Sequence, residues 1–251
     1  MIVAITMIKN EADIVDWTLT HLAAQGVDGC YALNNLSTDN TQNILDSHYP
    51  WCVSLPDTEY GYYQSRKMSE LAVKAWEAGA TWVLPFDADE LIYHPEMRLD
   101  TFFGSLPDTV GVITIQAWDY LPRPAMPNNP NPYIQFEYKR PTPQPYPKIA
   151  FRAVPDPHIH MGNHGVDRIP GERIGGLHLR HIQYRSEAQM AAKLRNGKAV
   201  YEATDLDGGQ GTHWREGGNL TDQQITEKWG QLTVEPAIHD PLPVHFRPNV
   251  P

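Results

Sequence analysis

Strand-like and helix-like runs alternate through the first ninety residues, and this alternation limits the fold more than any other feature of the chain. Residues 2–8, IVAITMI, form a continuous, largely β-branched run, the pattern of a strand covered on both faces. The run stops at Asn10, which reads as a helix N-cap with Asp13 in an acidic first turn. Ile14, Val15, Thr18, Leu19, Leu22 and Ala23 recur at helical spacing, and Gly26 closes that helix. Further strands are predicted at 29–35, 51–55 and 81–86, with a capped turn and helix over 37–49 and a helix over 64–78. Such alternation predicts a parallel sheet with helices on its faces.

Beyond residue 105 the rhythm breaks. Residues 111–118 read as a strand, but 122–157 hold half of the chain's 22 prolines. Proline removes ladder donors and fixes φ, so an extended surface loop is expected there, interrupted by strands at 133–138 and 148–154. Ser186 opens a helix, with Gln189 placed for a capping box. Residues 205–218, with five glycines in fourteen positions, read as irregular, and 221–230 as a short last helix. No internal repeat is found. The fold class expected is therefore α/β, a single domain with a mostly parallel, Rossmann-like central sheet flanked by helices and an irregular, proline-rich second half.

A formal charge of −10 argues against a nucleic-acid binder, because affinity for the phosphate backbone rests on Lys and Arg. No apolar run approaches the roughly 20 residues that span a bilayer. The opening residues lack the basic leader and cleavage site of a signal peptide, which makes a cytoplasmic location the expectation. Cys30 and Cys52 lie in apolar segments and read as reduced, buried thiols.

In open α/β sheets, ligands bind beyond the carboxyl ends of the parallel strands. Three polar motifs fall at such ends: KNEAD (9–13), NNLSTDNT (34–41) and DADE (87–90). Asp87 and Asp89 are two apart and share a face if the strand conformation persists. Adjacent carboxylates raise each other's pKa unless a cation neutralises them, and an oxygen-rich, hydrated site suits Mg²⁺ or Mn²⁺. An acidic turn that caps the next segment is the plainer alternative. In the second motif, Asn34 or Asn35 can hydrogen-bond the edge of a base while Asp39 or Thr41 caps a helix. An ordinary Asx-rich turn explains the same residues.

The stretches MIKNEADIVDWTLTHLAAQGVDGCYALNNLSTDNT, WVLPFDADELI and HIQYRSEAQMAAKLRNG together resemble the family 2-type glycosyltransferases of GT-A fold. The resemblance is to the branch that reads K-N-E, D-N-x-S-x-D-x-T, D-A-D-E and H-Y-x-x-x-S in order. It covers residues 1–95 and, more loosely, 145–197. It implies a nucleotide-sugar-binding half over 1–95 and an acceptor-binding half over 105–251, the latter with a C-terminal lid. It also implies Mn²⁺ or Mg²⁺, a UDP-linked donor, an inverting reaction and a carbohydrate, lipid or protein acceptor. Asn10 and Glu11 belong to its first motif and count as donor-binding. Asn34 and Asn35 stand where the family has an aspartate against the nucleoside. Asp87 matches the residue near the ribose, Asp89 the metal ligand, and His181 the histidine that completes the metal site, with Asp87 joining through water. Arg66 and Lys67 are placed to approach the nucleotide. Asp167 is the first choice for the group that takes the acceptor proton, and His164 the second.

His158, His160 and His164 crowd into seven residues, and an H-x-H pair on a strand can chelate Zn²⁺ or Fe²⁺. A hydrolase or oxygenase built on those histidines is one alternative, and a non-catalytic nucleotide- or carbohydrate-binding domain another. Residues 205–218 carry His213, Trp214 and Arg215 among the glycines. They read as a lid that orders over a diphosphate with Arg215 or His213 near the phosphates, or else as a loop packed against the body.

Overall fold

The computed structural model describes residues 1–207, 211–243 and 246. The first half follows the predicted alternation: β1 (Ile2–Ile8), α1 (Val15–Ala24), β2 (Gly29–Asn34), α2 (Thr41–Ser47), β3 (Cys52–Pro56), α3 (Gln64–Glu77) and β4 (Trp82–Pro85). Then come β5 (Glu90–Tyr93), α4 (Leu99–Gly104), β6 (Val110–Asp119), α5 (Pro132–Gln135), β7 (Tyr138–Lys139) and β8 (Lys148–Arg152). The chain continues through β9 (His158–Ile159), β10 (Val166–Asp167), β11 (Glu172–His181), α6 (Glu187–Glu202), α7 (Thr212–Gly217), α8 (Asp222–Val234) and β12 (Ile238–His239).

Eight strands form one sheet in the order β3-β2-β1-β4-β8-β6-β11-β5. β1 to β4 are mutually parallel, β11 is parallel to β6, and β8 and β5 run against their neighbours. This is the α/β, mostly parallel arrangement that the sequence predicts. Its consequence for a site is geometric. Parallel strands end at one edge, and the two antiparallel strands begin there. The edge therefore collects Asn34, Asp119 and His181 from strand ends, Asp87 and Asp89 from the turn after β4, and Lys148 and Glu90 from strand starts.

One buried cluster, including Leu19, Leu22, Leu84, Phe86 and Ile115, packs on one face of the sheet. Another, including Ile5, Met68, Leu71, Val83 and Phe151, packs on the other. Burying each such side chain stabilises the fold by about 1.5–3 kcal/mol. Alternate residues of β1 serve the two clusters, as the period of two requires.

Four local expectations are corrected. Asn10 is not a helix cap: it has φ 54°, and its Oδ1 accepts from Thr38 N, so it latches two loops while α1 starts five residues later. Residues 133–137 are not a strand, because Pro132 occupies the first turn of α5 and Asn131 caps it through Tyr133 N, and of the expected strand Tyr138 alone joins one, β7. Nor do they lie on a surface loop, since Tyr133 and Phe136 are fully buried beside Ile14, Leu91 and Ile182. Residues 212–217 form α7 despite the neighbouring glycines, because Trp214 lies against Gly197 of α6, where any Cβ would collide with the indole. Ser186 does cap α6, but Gln189 Oε1 accepts from Arg185 N rather than closing the box.

His21, on the buried face of α1, bonds through Nε2 to the Ile92 carbonyl at 2.7 Å, and burial pushes its pKa down to about 4. The fold holds this imidazole neutral, whereas the unfolded chain takes up a proton near its reference pKa of about 6.5. The stabilisation is therefore whole at pH 8 and falls as pH drops toward 4, by about 2 kcal/mol at pH 5. Urea unfolding at the two pH values should show this loss, and His21→Gln should remove that share of the difference. An identical pH dependence in the variant would assign the loss elsewhere.

Candidate functional site

A cleft of about 990 Å³ opens along the strand-end edge, bounded by the loops after β1 and β4, the β9–β10 hairpin and α6. Four of its groups come from the DADE turn and its surroundings. Asp87 and Glu90 clasp the turn, Glu90 N donating to Asp87 O and Asp87 N to Glu90 Oε2. Lys148 Nζ then sits 2.6 Å from Asp87 Oδ2 and 2.9 Å from Glu90 Oε1. Glu90 is 1% exposed and Lys148 5% exposed. Burial raises the Glu90 carboxyl against the pull of Lys148, and burial lowers the Lys148 ammonium less than Asp87 and Glu90 raise it. A cation does wait at the end of β4, and one such cation is a lysine from the first residue of β8.

Asp89, 3% exposed, has a separate set of partners. Lys193 Nζ lies 2.5 Å from Asp89 Oδ2 and 2.7 Å from Glu11 Oε1. Arg185 binds Glu11 and forks onto Asp13, with its Nη1 3.8 Å from Asp89. Although burial acts to raise the Asp89 carboxyl, the charges of Lys193, His181 and Arg185 hold it far below the usual carboxylate range. The KNE motif, the DADE motif and α6 are thus joined in one ionic network.

His181 ends β11. Its Nδ1 lies 2.8 Å from Asp119 Oδ1, which leaves Nε2 facing Asp89 Oδ2 at 3.7 Å. Burial would lower this imidazole, but Asp89 and Asp119 push it up to about 9. The pair fits a divalent cation. An imidazole oriented through its other nitrogen by a carboxylate is the usual support of a metal-ligating histidine. One oxygen and one nitrogen donor leave room for phosphate oxygens and water, as Mn²⁺ and Mg²⁺ prefer. Lys193 already touches the same oxygen and would share it. Asp87 is held by Lys148, Asn163 and Gln64.

The remaining candidates divide. Asn34 is consumed locally, its Nδ2 on Gln42 and its Oδ1 on Ser37 N. Asn35 lines the cleft and is fully buried, donating through Nδ2 to Asp57 Oδ2 and the Glu59 carbonyl. Its Oδ1 has no donor among the described residues. Asn10 and Glu11 line the cleft. Lys67 is buried and ties Asp57 to the Glu59 and Gly61 carbonyls, so it supports the wall from behind. Arg66 points outward to Glu59 and Glu70. Asp167 is exposed outside the cleft, bonded to His158 and His160, whereas His164 lies within it. His213 and Trp214 line the cleft, while Arg215 donates to the Tyr201 carbonyl. Residues 212–218 of the expected lid are thus already folded against α6, and residues 208–210 lie outside the described residues.

Sequence reading missed Lys148, Lys193, Arg185, Asp119 and Asp57. Lysine and arginine are common on any surface, and nothing in their local spacing marks these as partners of the DADE and KNE carboxylates. Only the R-S-x-x-x-x-x-x-K interval, which sets Arg185 before the cap of α6 and Lys193 inside it, carried a usable signal.

No protein-family model matches the chain, and no curated protein matches its sequence. Among solved structures it is similar to residues 1–349 of S. aureus TarS in complex with UDP-GlcNAc, with TM-score 0.46 and 12% identity over 86% of this chain and 70% of that one. The same protein in complex with UDP gives TM-score 0.44 and 13% identity, over 86% and 69%. The 4-diphosphocytidyl-2C-methyl-D-erythritol synthase of Anaerococcus prevotii gives TM-score 0.34 and 12% identity, over 92% and 98%. Likeness at this level carries no weight for function. No helix among the described residues is long and apolar enough to cross a membrane.

Proposed function

We propose that this chain is a glycosyltransferase that moves a sugar from a UDP-linked donor to a hydroxyl acceptor with inversion. The observation that carries the reading is the convergence, in one cleft, of the KNE, DADE and late-histidine motifs on Asp89, with Lys193 and Arg185 beside it. A divalent cation, Mn²⁺ or Mg²⁺, would be held by Asp89 and His181 and would neutralise the departing diphosphate. The chain's own cations add to this: Lys148 and Lys193 line the cleft within reach of a bound anion. Asn35 is sealed in the wall of the cleft: it is fully buried and its Nδ2 ties Asp57 to the Glu59 carbonyl, so it shapes the surface against which a base would lie.

For the acceptor proton, His164 replaces Asp167 as first choice, because it lies in the cleft and Asp167 does not. Burial, with a smaller effect of Lys148, pushes its pKa below the usual histidine value, so it is neutral at pH 7. Its Nδ1 lies 3.2 Å from the Pro147 carbonyl, and donating there leaves Nε2 to accept.

Calorimetry with UDP tests the reading. UDP should bind more tightly with Mn²⁺ than without it, and His181→Ala should remove most of that difference, since it takes away one of the two groups proposed to hold the cation. A UDP affinity indifferent to Mn²⁺ and to His181 would dismiss it.

A further inference from the structure

The β9–β10 hairpin carries a second constellation that the proposed transfer does not use. Asp167 Oδ2 lies 3.1 Å from His158 Nδ1 and 2.9 Å from His160 Nε2. One donor atom from each residue lies within 4.8 Å of the others, and no further group of three or more such residues occurs among the described residues. The register pairs Asp167 directly with His158. His160 is two residues on, in extended backbone (φ −74°, ψ 156°), which returns it to the face of His158.

The arrangement is anchored. Ile159, between the two histidines, donates its N–H to Ser69 Oγ and accepts at its carbonyl from Ser65 Oγ, both on α3. His160 N donates to the Gly165 carbonyl at 2.9 Å. Gly165 also clears the imidazole, since a Cβ there would come within 2.6 Å of His160 Nδ1. All three side chains are about half exposed, so an ion reaches them without any opening of the fold.

We infer that His158, His160 and Asp167 form a binding site for a divalent transition ion of the Zn²⁺ class, distinct from the cleft. Two imidazole nitrogens and one carboxylate oxygen are the donors that Zn²⁺, Co²⁺ or Ni²⁺ selects over Mg²⁺ or Ca²⁺. Ligands bonded at about 2.0–2.1 Å around one ion stand about 3.0–3.4 Å apart, close to the two observed separations. The ion replaces the protons that now join the imidazoles to Asp167, and water or an external ligand takes the remaining positions. The hairpin beyond this stem carries Asn163, which donates to Asp87 Oδ1 at 3.2 Å, and His164, which lines the cleft. An ion at the stem therefore clamps the segment that delivers both.

The test is a Co²⁺ titration of the full chain without a polyhistidine tag, followed by visible absorption and Zn²⁺ competition. A Co²⁺ component displaced by Zn²⁺ should be present in the wild type and in His181→Gln, and lost from His160→Gln and Asp167→Asn. Circular dichroism should be unchanged in these two variants, because the residues are exposed. Wild type without such a component, a component retained in both hairpin variants, or one lost only in His181→Gln would each overturn the assignment. The UDP experiment is read separately, so either site can fail alone.

Discussion

Asp89→Ala is expected to lower the free energy of unfolding by about 3–5 kcal/mol and to leave the proposed sugar transfer undetectable. The residue is almost fully buried, and Lys193, Arg185 and His181 all face its carboxylate. Removing it strands Lys193 and Arg185 with only the acids of the KNEAD motif, and it removes the oxygen proposed to hold the metal. Breaking a buried pair costs more than the pair itself contributes, because the partner is left desolvated. For a chain of this size the loss corresponds to a fall in Tm of about 10 °C. The two consequences separate experimentally. Urea unfolding reads the first, and UDP release in the presence of acceptor reads the second at a temperature where the variant is folded. The DADE motif alone suggests a ligand at a strand end whose loss leaves the fold intact, whereas the network makes Asp89 structural as well. Wild-type turnover in this variant would refute the metal assignment, and an unchanged melt would refute the network.

Lys148→Met is expected to cost about 3 kcal/mol of stability and most of the affinity for UDP. Methionine keeps the stem but leaves Asp87 and the buried Glu90 facing each other without a cation. Like charges at that separation disfavour the fold until one is removed. Adding Glu90→Gln should therefore recover much of the stability, while UDP affinity stays low because the cationic lining of the cleft is still missing. A double variant no more stable than Lys148→Met would mean that the lysine does not act by offsetting the buried Glu90 charge.

The alternation of strands and helices from Ile2 to Pro85 was legible because it is local. A β-branched run, a helical apolar spacing and a glycine at a helix end each act within a few positions. The same reasoning missed the short helix at Pro132–Gln135, where an alternating apolar pattern looked like a strand and the proline was read only as a breaker. It missed α7 as well, because the glycines around it speak for the isolated segment and not for Trp214 docked on Gly197.

The candidate site divides in the same way. That negative charge at the end of β4 requires a positive partner follows from the sequence alone, since clustered carboxylates without a cation are costly. Which cations answer does not follow. Lys148 is the first residue of a strand inserted antiparallel between β4 and β6, and Lys193 lies on the helix after β11, near the far side of the sheet order. Asp167 and His164 stand three residues apart in the chain, yet the hairpin sends one to solvent and the other into the cleft. Periodicity assigns a residue to a face of its own element, because neighbouring side chains decide that. Which strand lies beside which is decided by the burial of the whole sheet, summed over residues distant in the chain. Only that arrangement brought the two lysines to Asp87 and Asp89.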